Sequence, residues 1–468
     1  MSFFNILSHI KTNVGVITDE GRIFESGYID NFSNLLYKEI QHRCLVFCLC
    51  KNQIGSLCGY ISFVQNRVIP VMLDASMNKD SLQELITKYE PEYIWLPTDQ
   101  LIEFPNGQEL YSILDYSLIK LKTLSFFPLH DDLALLLTTS GSTGSPKLVR
   151  LSYENIQANA ESIAEYLSID EHERPITTLP MNYSFGLSII NSHLLKGATI
   201  LLTSKSLMEK GFWDFLKTRK ATSLSGVPYT FEILKKLRFF RMDSPSLKTL
   251  TQAGGKLNNE LNKEFAEFCQ QSDKRFFVMY GQTEATARMS YLPPEYSLSK
   301  LGSMGVAIPG GVFSLIDESG TIIEDSDITG ELVYRGKNVS MGYAECGSDL
   351  QKGDENNGIL LTGDLAKRDS DNFYTIVGRK KRFIKLYGNR VNLDETERIL
   401  KSILTDCACI GEDDHMKIYI TDKTRIDEVR TFISSKTGIH HSAFTVIQID
   451  IIPKNPSGKT IYSNLGTL

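Results

Sequence analysis

No run of about 18 apolar residues, the length a membrane-spanning helix needs, occurs in the 468 residues, so no spanning helix is expected. The segment MSFFNILSHIKTN lacks a basic region, a long apolar run and a small-residue cleavage site, and no secretory leader is expected. Neither charge sign dominates. Fifty Lys and Arg stand against 56 Asp and Glu, a net −6 spread along the chain, which argues against a nucleic-acid-binding face. Fixed-period repeats and low-complexity tracts are absent. There are eight cysteines, four of them between Cys44 and Cys58, yet no compact Cys/His pairs with zinc spacing accompany them. Cys44, Cys48 and Cys50 fall in RCLVFCLC, which reads as a buried strand, so reduced core cysteines in a cytoplasmic protein are expected.

What is present is alternation. The apolar runs RCLVFCLC (43–50), NRVIPVML (66–73) and EYIWLP (92–97) are separated by helical patterns such as MNKDSLQELITKYE (77–90). That order predicts an α/β architecture with strands covered on both faces. LALLLT (133–138) predicts another strand, ENIQANAESIAEYL (154–167) a helix capped by Ser152, and KRFFVMYG (274–281) a strand running into a turn. From about 328 the texture changes to the short strands TGELVYRG, GILLTGD and NFYTIVGR. After the basic cluster Arg379 to Arg382 it changes again, to a small α+β unit: FIKLYG, LDETERILKSIL, MKIYIT, TRIDEVRTFISSK and FTVIQIDIIP. The expected class is therefore α/β, with a large N-terminal domain of packed α/β sheets (1–379) and a small α+β C-terminal domain (383–468).

The most informative segment is TTSGSTGSPK, Thr138 to Lys147. Gly141 and Gly144 permit backbone conformations closed to other residues. Ser140, Ser142 and Thr143 add hydroxyl donors, and Lys147 a positive charge, which together suit phosphate oxygens. A Walker-type loop is excluded by spacing, because there the lysine follows the last glycine directly and opens a helix. Here Ser145 and Pro146 intervene, and KLVRLS reads as a strand.

This loop resembles the phosphate loop of the adenylate-forming superfamily, which includes acyl-CoA synthetases, peptide-synthetase adenylation domains and luciferases. Its companions follow in order along nearly the whole chain. YGQTE (280–284) resembles the superfamily's Y-G-x-T-E motif, which implies that Tyr280, beside Gly281, stacks on adenine, Thr283 contacts phosphate and Glu284 helps hold Mg²⁺. Hard oxygen ligands shared with phosphates are what that ion favours. AGGK (253–256) resembles the loop whose glycines, Gly254 and Gly255, approach adenine. LTGD (361–364) resembles the motif whose aspartate, Asp364, accepts from the ribose hydroxyls, with Arg379 as its partner.

The resemblance further places a hinge at Lys381, within 380–382, and a thiol-tunnel glycine at Gly388 in KLYGNRV. PKNPSGK (453–459) resembles the family's ending, which makes Lys459 the catalytic lysine of a mobile small domain. The implied phosphate ligands are Thr139, Ser140, Gly141, Ser142, Thr143, Gly144 and Lys147.

The implied reaction is attack of a carboxylate on the α-phosphorus of ATP, giving an acyl-adenylate and pyrophosphate. A thiol then takes the acyl group and AMP leaves. The expected acceptor is CoA, with a phosphopantetheinyl carrier protein as the alternative; a catalytically inactive nucleotide-binding homologue is the reading from another class. LPMNYSFGLS (179–188) resembles the acyl-pocket motif, so Tyr183, Phe185 and Gly186 are expected to line the pocket with Gly226. Amino-acid-activating relatives place an aspartate where Gly186 stands. Without that anion a buried ammonium would be unpaired, which disfavours an α-amino acid.

Overall fold

The structure, a computed structural model, describes residues 14–122, 126–138, 147–386, 389–412, 415–437, 440–454 and 460–466. The chain folds into two compact units. The first holds the described residues up to 312 together with 334–360, and the second holds 313–333 and those from 361 onward.

In the first unit an eight-stranded sheet has at its centre the predicted apolar runs. Ile69–Asp74 pairs in parallel with Leu45–Cys50 on one side and Leu133–Thr138 on the other. Every residue of Leu45–Cys50 is buried, as a strand covered on both faces requires. A nine-stranded sheet contains the parallel strands Pro175–Ile176, Ser223–Gly226, Thr249–Gln252 and Arg275–Tyr280. Helices lie between the two sheets. One core cluster joins Val16, Ile200 and Leu202 of the nine-stranded sheet to Val46, Trp95 and Leu135 of the other through Phe32, Leu57, Ile156 and Leu187, which the helices supply. The helix Ile54–Gln65 is buried from Ile54 to Val64, because a helix that is apolar all round is stable only when covered all round. Among the described residues no helix is long and apolar enough to cross a membrane.

The nine-stranded sheet positions the site. Its register places Gly226 beside Gln252 and Gln252 beside Val278, so three parallel strands end at one edge. The segments that follow them, Val227 onward, Ala253–Lys256 and Gly281–Glu284, leave from that same edge. Carboxyl ends of parallel strands are where open α/β sheets bind ligands.

The second unit holds most of a four-stranded sheet in the order Val312–Ile316, Thr329–Arg335, Ile359–Arg368 and Tyr374–Arg379. It also holds the hairpin Phe383–Leu386 with Asn389–Asn392, and a three-stranded sheet of Cys407–Glu412, His415–Ile420 and Phe444–Gln448. Ile384, Val391, Leu400, Ile418, Val429 and Phe444 share its core. The helix expected over LDETERILKSIL ends at Leu400, where the chain tightens: the Ser402 and Ile403 amides bond only three residues back, to the Ile399 and Leu400 carbonyls at 3.2 and 3.0 Å, and Leu404 enters the core.

The eight cysteines are free, and all but Cys346 are buried. Cys44 does lie with His42 and Glu92, their ligand atoms within 4.8 Å of one another. The His42 ring is engaged on both nitrogens, at 2.7 Å from a Glu92 oxygen and 2.6 Å from the Ile40 carbonyl.

Candidate active site

The strand Arg275–Tyr280 ends in the tight turn Thr283–Ala285, which presents Glu284 at the sheet edge. Three contacts fix this turn. The Ser340 amide donates to the Glu284 carbonyl at 2.9 Å, the Thr283 and Ser184 hydroxyls are 3.2 Å apart, and the Tyr343 hydroxyl donates to Glu284 Oε1 at 2.7 Å. The ring of Tyr343 then receives Lys147, whose Nζ stands 3.8 Å from the ring centroid. Lys147 precedes the strand Leu148–Ser152, and Tyr343 lies opposite Val149 on the neighbouring strand. Lysine and glutamate, 137 positions apart in the chain by their numbering, are thus joined through one phenol ring. Burial, with the Glu284 charge adding to it, pushes the phenol upward, so Tyr343 stays a neutral donor.

Tyr343 is the residue sequence reasoning missed. Its neighbours in the chain carry no motif, and only the pairing of its strand with the one after Lys147 brings it to the site.

Glu284 Oε2 has no hydrogen-bond partner among the described residues. A carboxylate with one oxygen anchored and the other free fits a hard divalent cation shared with phosphates.

At the same edge, Gln252, fully buried, donates through Nε2 to the carbonyls of Ala253 and Gly255 at 3.2 and 2.8 Å, holding the glycine loop in shape. Gly254 has φ +82, and a Cβ there would stand 2.7 Å from the Tyr183 hydroxyl, so glycine is required on both counts. Gln282 Nε2 donates to the Tyr280 hydroxyl at 3.1 Å. Gly281 lies in the turn between Tyr280 and Thr283.

The expected acyl-pocket segment is pinned by Asn52, which donates to the Leu179 carbonyl at 3.0 Å and accepts from the Met181 amide at 3.1 Å. The helix Ser184–Leu195 begins directly after, with Tyr183 at its N-cap. Phe185 is buried edge-on to Tyr183, their centroids 6.3 Å apart, in a cluster with Val227, Ala253, Phe277 and Met279. Burial pushes the Tyr183 phenol up to about 12. A Cβ on Gly186 would stand 2.2 Å from the Pro180 carbonyl oxygen, so this position is closed to any side chain. At Gly226 the Thr230 side chain fills the space, 2.5 Å from where a Cβ would lie.

In the second unit Asp364 and Arg379 are cross-strand partners, with Arg379 Nε 3.5 Å from Asp364 Oδ1. Asp364 is buried on a strand, and its amide donates to the Thr362 hydroxyl oxygen at 3.1 Å. Thr139, Ser140, Gly141, Ser142, Thr143, Gly144, Gly388 and Lys459 lie outside the described residues, and Lys381 is described only as backbone of the turn Lys380–Arg382.

A family model described as AMP-binding enzyme matches residues 28–344, well over half of the chain. The chain belongs to the AMP-binding enzyme family.

Among its relatives, the 2-succinylbenzoate–CoA ligase of Bacillus velezensis is 27% identical over 72% of this chain and 69% of its own length. The 4-coumarate–CoA ligase-like 2 of Arabidopsis thaliana is 29% identical over 72% of this chain and 62% of its own. The chain thus spans about two thirds of the length of these AMP-binding relatives. Of the solved structures, the o-succinylbenzoate coenzyme A synthetase from Bacillus subtilis in complex with ATP and magnesium ion superposes with TM-score 0.81 at 20% identity, covering 99% of both chains. The McyG A-PCP structure complexed with phenylalanyl-adenylate gives 0.76 at 16% identity, covering 99% of this chain and 82% of that one. The expected mixed α/β fold is therefore that of adenylate-forming enzymes.

Proposed function

We propose that this AMP-binding enzyme is an AMP-forming acid–thiol ligase that activates a carboxylic acid with ATP and passes the acyl group to CoA. The observation that carries this reading is the Lys147–Tyr343–Glu284 cluster at the carboxyl edge of the nine-stranded sheet. It puts a cation and a carboxylate anchored through one oxygen on a chain of the AMP-binding family. The curated relatives named as CoA ligases support CoA over a carrier protein.

Two anions must meet in the first half-reaction, so positive charge and positioning supply most of the catalysis. In our reading Lys147 and the hydroxyls at 139–144 bind the β- and γ-phosphates. Thr283 contacts phosphate, and Tyr280 with Gly254 and Gly255 forms the adenine platform. Mg²⁺ bound at Glu284 would supply charge neutralisation of the triphosphate. Asp364 accepts from the ribose hydroxyls, with Arg379 beside it. Lys459 bridges the carboxylate and the α-phosphate, and a hinge at Lys381 exchanges Lys459 for Gly388 between the half-reactions. Residues 1–379 and 383–468 are the two moving parts in this proposal. Free cysteines suit a reducing cytoplasm.

ATP–pyrophosphate exchange across a panel of fatty, aromatic, hydroxy, amino and dicarboxylic acids, followed by thioester formation with CoA or a carrier protein, tests the reading. Exchange with at least one acid and thioester formation with CoA is the expected result. Absence of exchange from folded protein with every acid identifies a nucleotide-binding homologue without ligase activity.

A further inference from the structure

Arg288 stands three residues beyond the turn that presents Glu284 and is only 2% exposed. Its Nη1 donates to the Tyr166 hydroxyl at 3.0 Å and to Met279 Sδ at 3.4 Å, and its Nε donates to the Ser188 hydroxyl at 3.2 Å. The guanidinium carbon lies 5.0 Å from the centroid of the Phe185 ring. Each of these partners is neutral. Among the described residues no carboxylate pairs with Arg288 and no acceptor meets its Nη2.

The groups around it cannot serve as a counter-charge. Burial raises the Tyr166 phenol, which therefore stays protonated even though Arg288 pulls in the other direction. Burial lowers His193, on the helix that carries Phe185, to about 4, so it is an uncharged ring at neutral pH.

Arg150, the other buried arginine among the described residues, and the largely buried Arg382 behave differently. Arg150 is fully buried and pairs with Glu355 at 2.5 Å, and Arg382 pairs with Asp394 and Glu397 at 2.5 and 2.6 Å. A buried cation without an anion is costly, which marks Arg288 as a candidate for a group that a ligand completes. Arg288 sits against Phe185 and Ser188, on either side of the closed Gly186 position, with Tyr183 packed on Phe185. That is the acyl pocket of the reading above. A planar guanidinium with free donors matches a carboxylate through two parallel hydrogen bonds.

We infer that the acid activated by this enzyme is a dicarboxylic acid, with its second carboxylate received by Arg288 while the first reacts. The inference rests on the ligase reading, and its test separates the two.

Wild-type enzyme is assayed by ATP–pyrophosphate exchange with short straight-chain and aromatic dicarboxylic acids. Each is matched with its half-amide and with the monocarboxylic acid ending in methyl. The diacid is expected to exceed both partners by at least about tenfold in kcat/KM, since a buried charged group that loses its partner is strongly penalised. In Arg288→Met the diacid KM rises at least about tenfold with a smaller change in kcat, and the methyl-ended acid becomes the better substrate. Arg288→Lys keeps part of the preference.

A wild-type enzyme that uses half-amides or monocarboxylic acids as well as diacids overturns the inference and leaves the ligase reading standing. A folded Arg288→Met enzyme with an unchanged diacid KM does the same. If that variant does not fold, the wild-type panel decides. No exchange with any acid removes the ligase reading and the inference together.

Discussion

Replacing Tyr343 by phenylalanine deletes one oxygen and leaves the ring on which Lys147 rests. The lost contact is the 2.7 Å hydrogen bond to Glu284 Oε1. A bond to a charged acceptor contributes about 1.5–3 kcal/mol when buried, and Tyr343 is half-buried, so roughly 1–2 kcal/mol remains after water replaces part of it. If Glu284 must be held in place for the phosphates, the exchange rate at saturating acid falls roughly 5- to 30-fold. Tyr343→Leu also removes the cation–ring contact, about another 0.5–1 kcal/mol at a partly exposed site, and lowers the rate further. ATP–pyrophosphate exchange on both variants, with their thermal midpoints as a folding control, measures the two steps. A Tyr343→Phe enzyme within about twofold of wild type refutes the anchoring role, and equal losses in the two variants refute the separation of hydroxyl from ring.

Three other changes probe the fold around the site. His193, 4% exposed, is lowered to about 4 in the folded chain by burial while its Nδ1 donates to the Ile189 carbonyl at 2.8 Å. Its depressed value means that the stability it confers is present above its unfolded value of about 6.5 and is lost as pH falls through 4. About 2 kcal/mol should be gone by about pH 5, and urea midpoints at neutral and acid pH should converge by that amount in His193→Gln. Gly186→Asp drives a side chain into the Pro180 carbonyl 2.2 Å away. It should cost about 1–3 kcal/mol, read as a lowered thermal midpoint, and should confer no exchange with α-amino acids. Arg382→Met strands Glu397, 7% exposed and 2.6 Å from the guanidinium, and should destabilise the second unit by about 3–5 kcal/mol, seen by limited proteolysis of that unit.

Much of the framework is legible in the sequence because buried strands and amphipathic helices carry their pattern locally. LALLLT and KLVRLS become Leu133–Thr138 and Leu148–Ser152, and ENIQANAESIAEYL becomes Tyr153–Tyr166, capped by Ser152 with Asn155 as its partner. The helix Ile54–Gln65 offers no such signal, since covering both faces erases the 3.6-residue period. Asp364 reads in isolation as a turn or cap residue after Thr-Gly, yet it lies within the strand Ile359–Arg368, where pairing with Tyr374–Arg379 sets it opposite Arg379. Tyr343 and Arg288 are illegible for one physical reason. Their roles are set by partners 59 and about 100 positions away, Glu284 and the helix of Phe185 and Ser188, and those meet only in three dimensions.

Two features of the acyl side act in the same direction on one substrate class. An α-amino acid brings an ammonium that needs an anion. Gly186, the position that the family resemblance assigns to that anion in amino-acid-activating members, has no room for a side chain of any kind, because the Pro180 carbonyl occupies the space. Arg288, packed on Phe185 and bonded to Ser188, adds a positive charge close by. Like charges brought together in a low-dielectric pocket repel strongly, so the acyl pocket proposed above would both lack the attractive group and contain a repulsive one, the two components from which specificity is built. Restoring the aspartate alone should therefore fail to create amino-acid activation. Only a combined change that opens position 186 and removes the charge at 288 should do so, and exchange with amino acids by the Gly186→Asp variant on its own would show that Arg288 does not face the pocket.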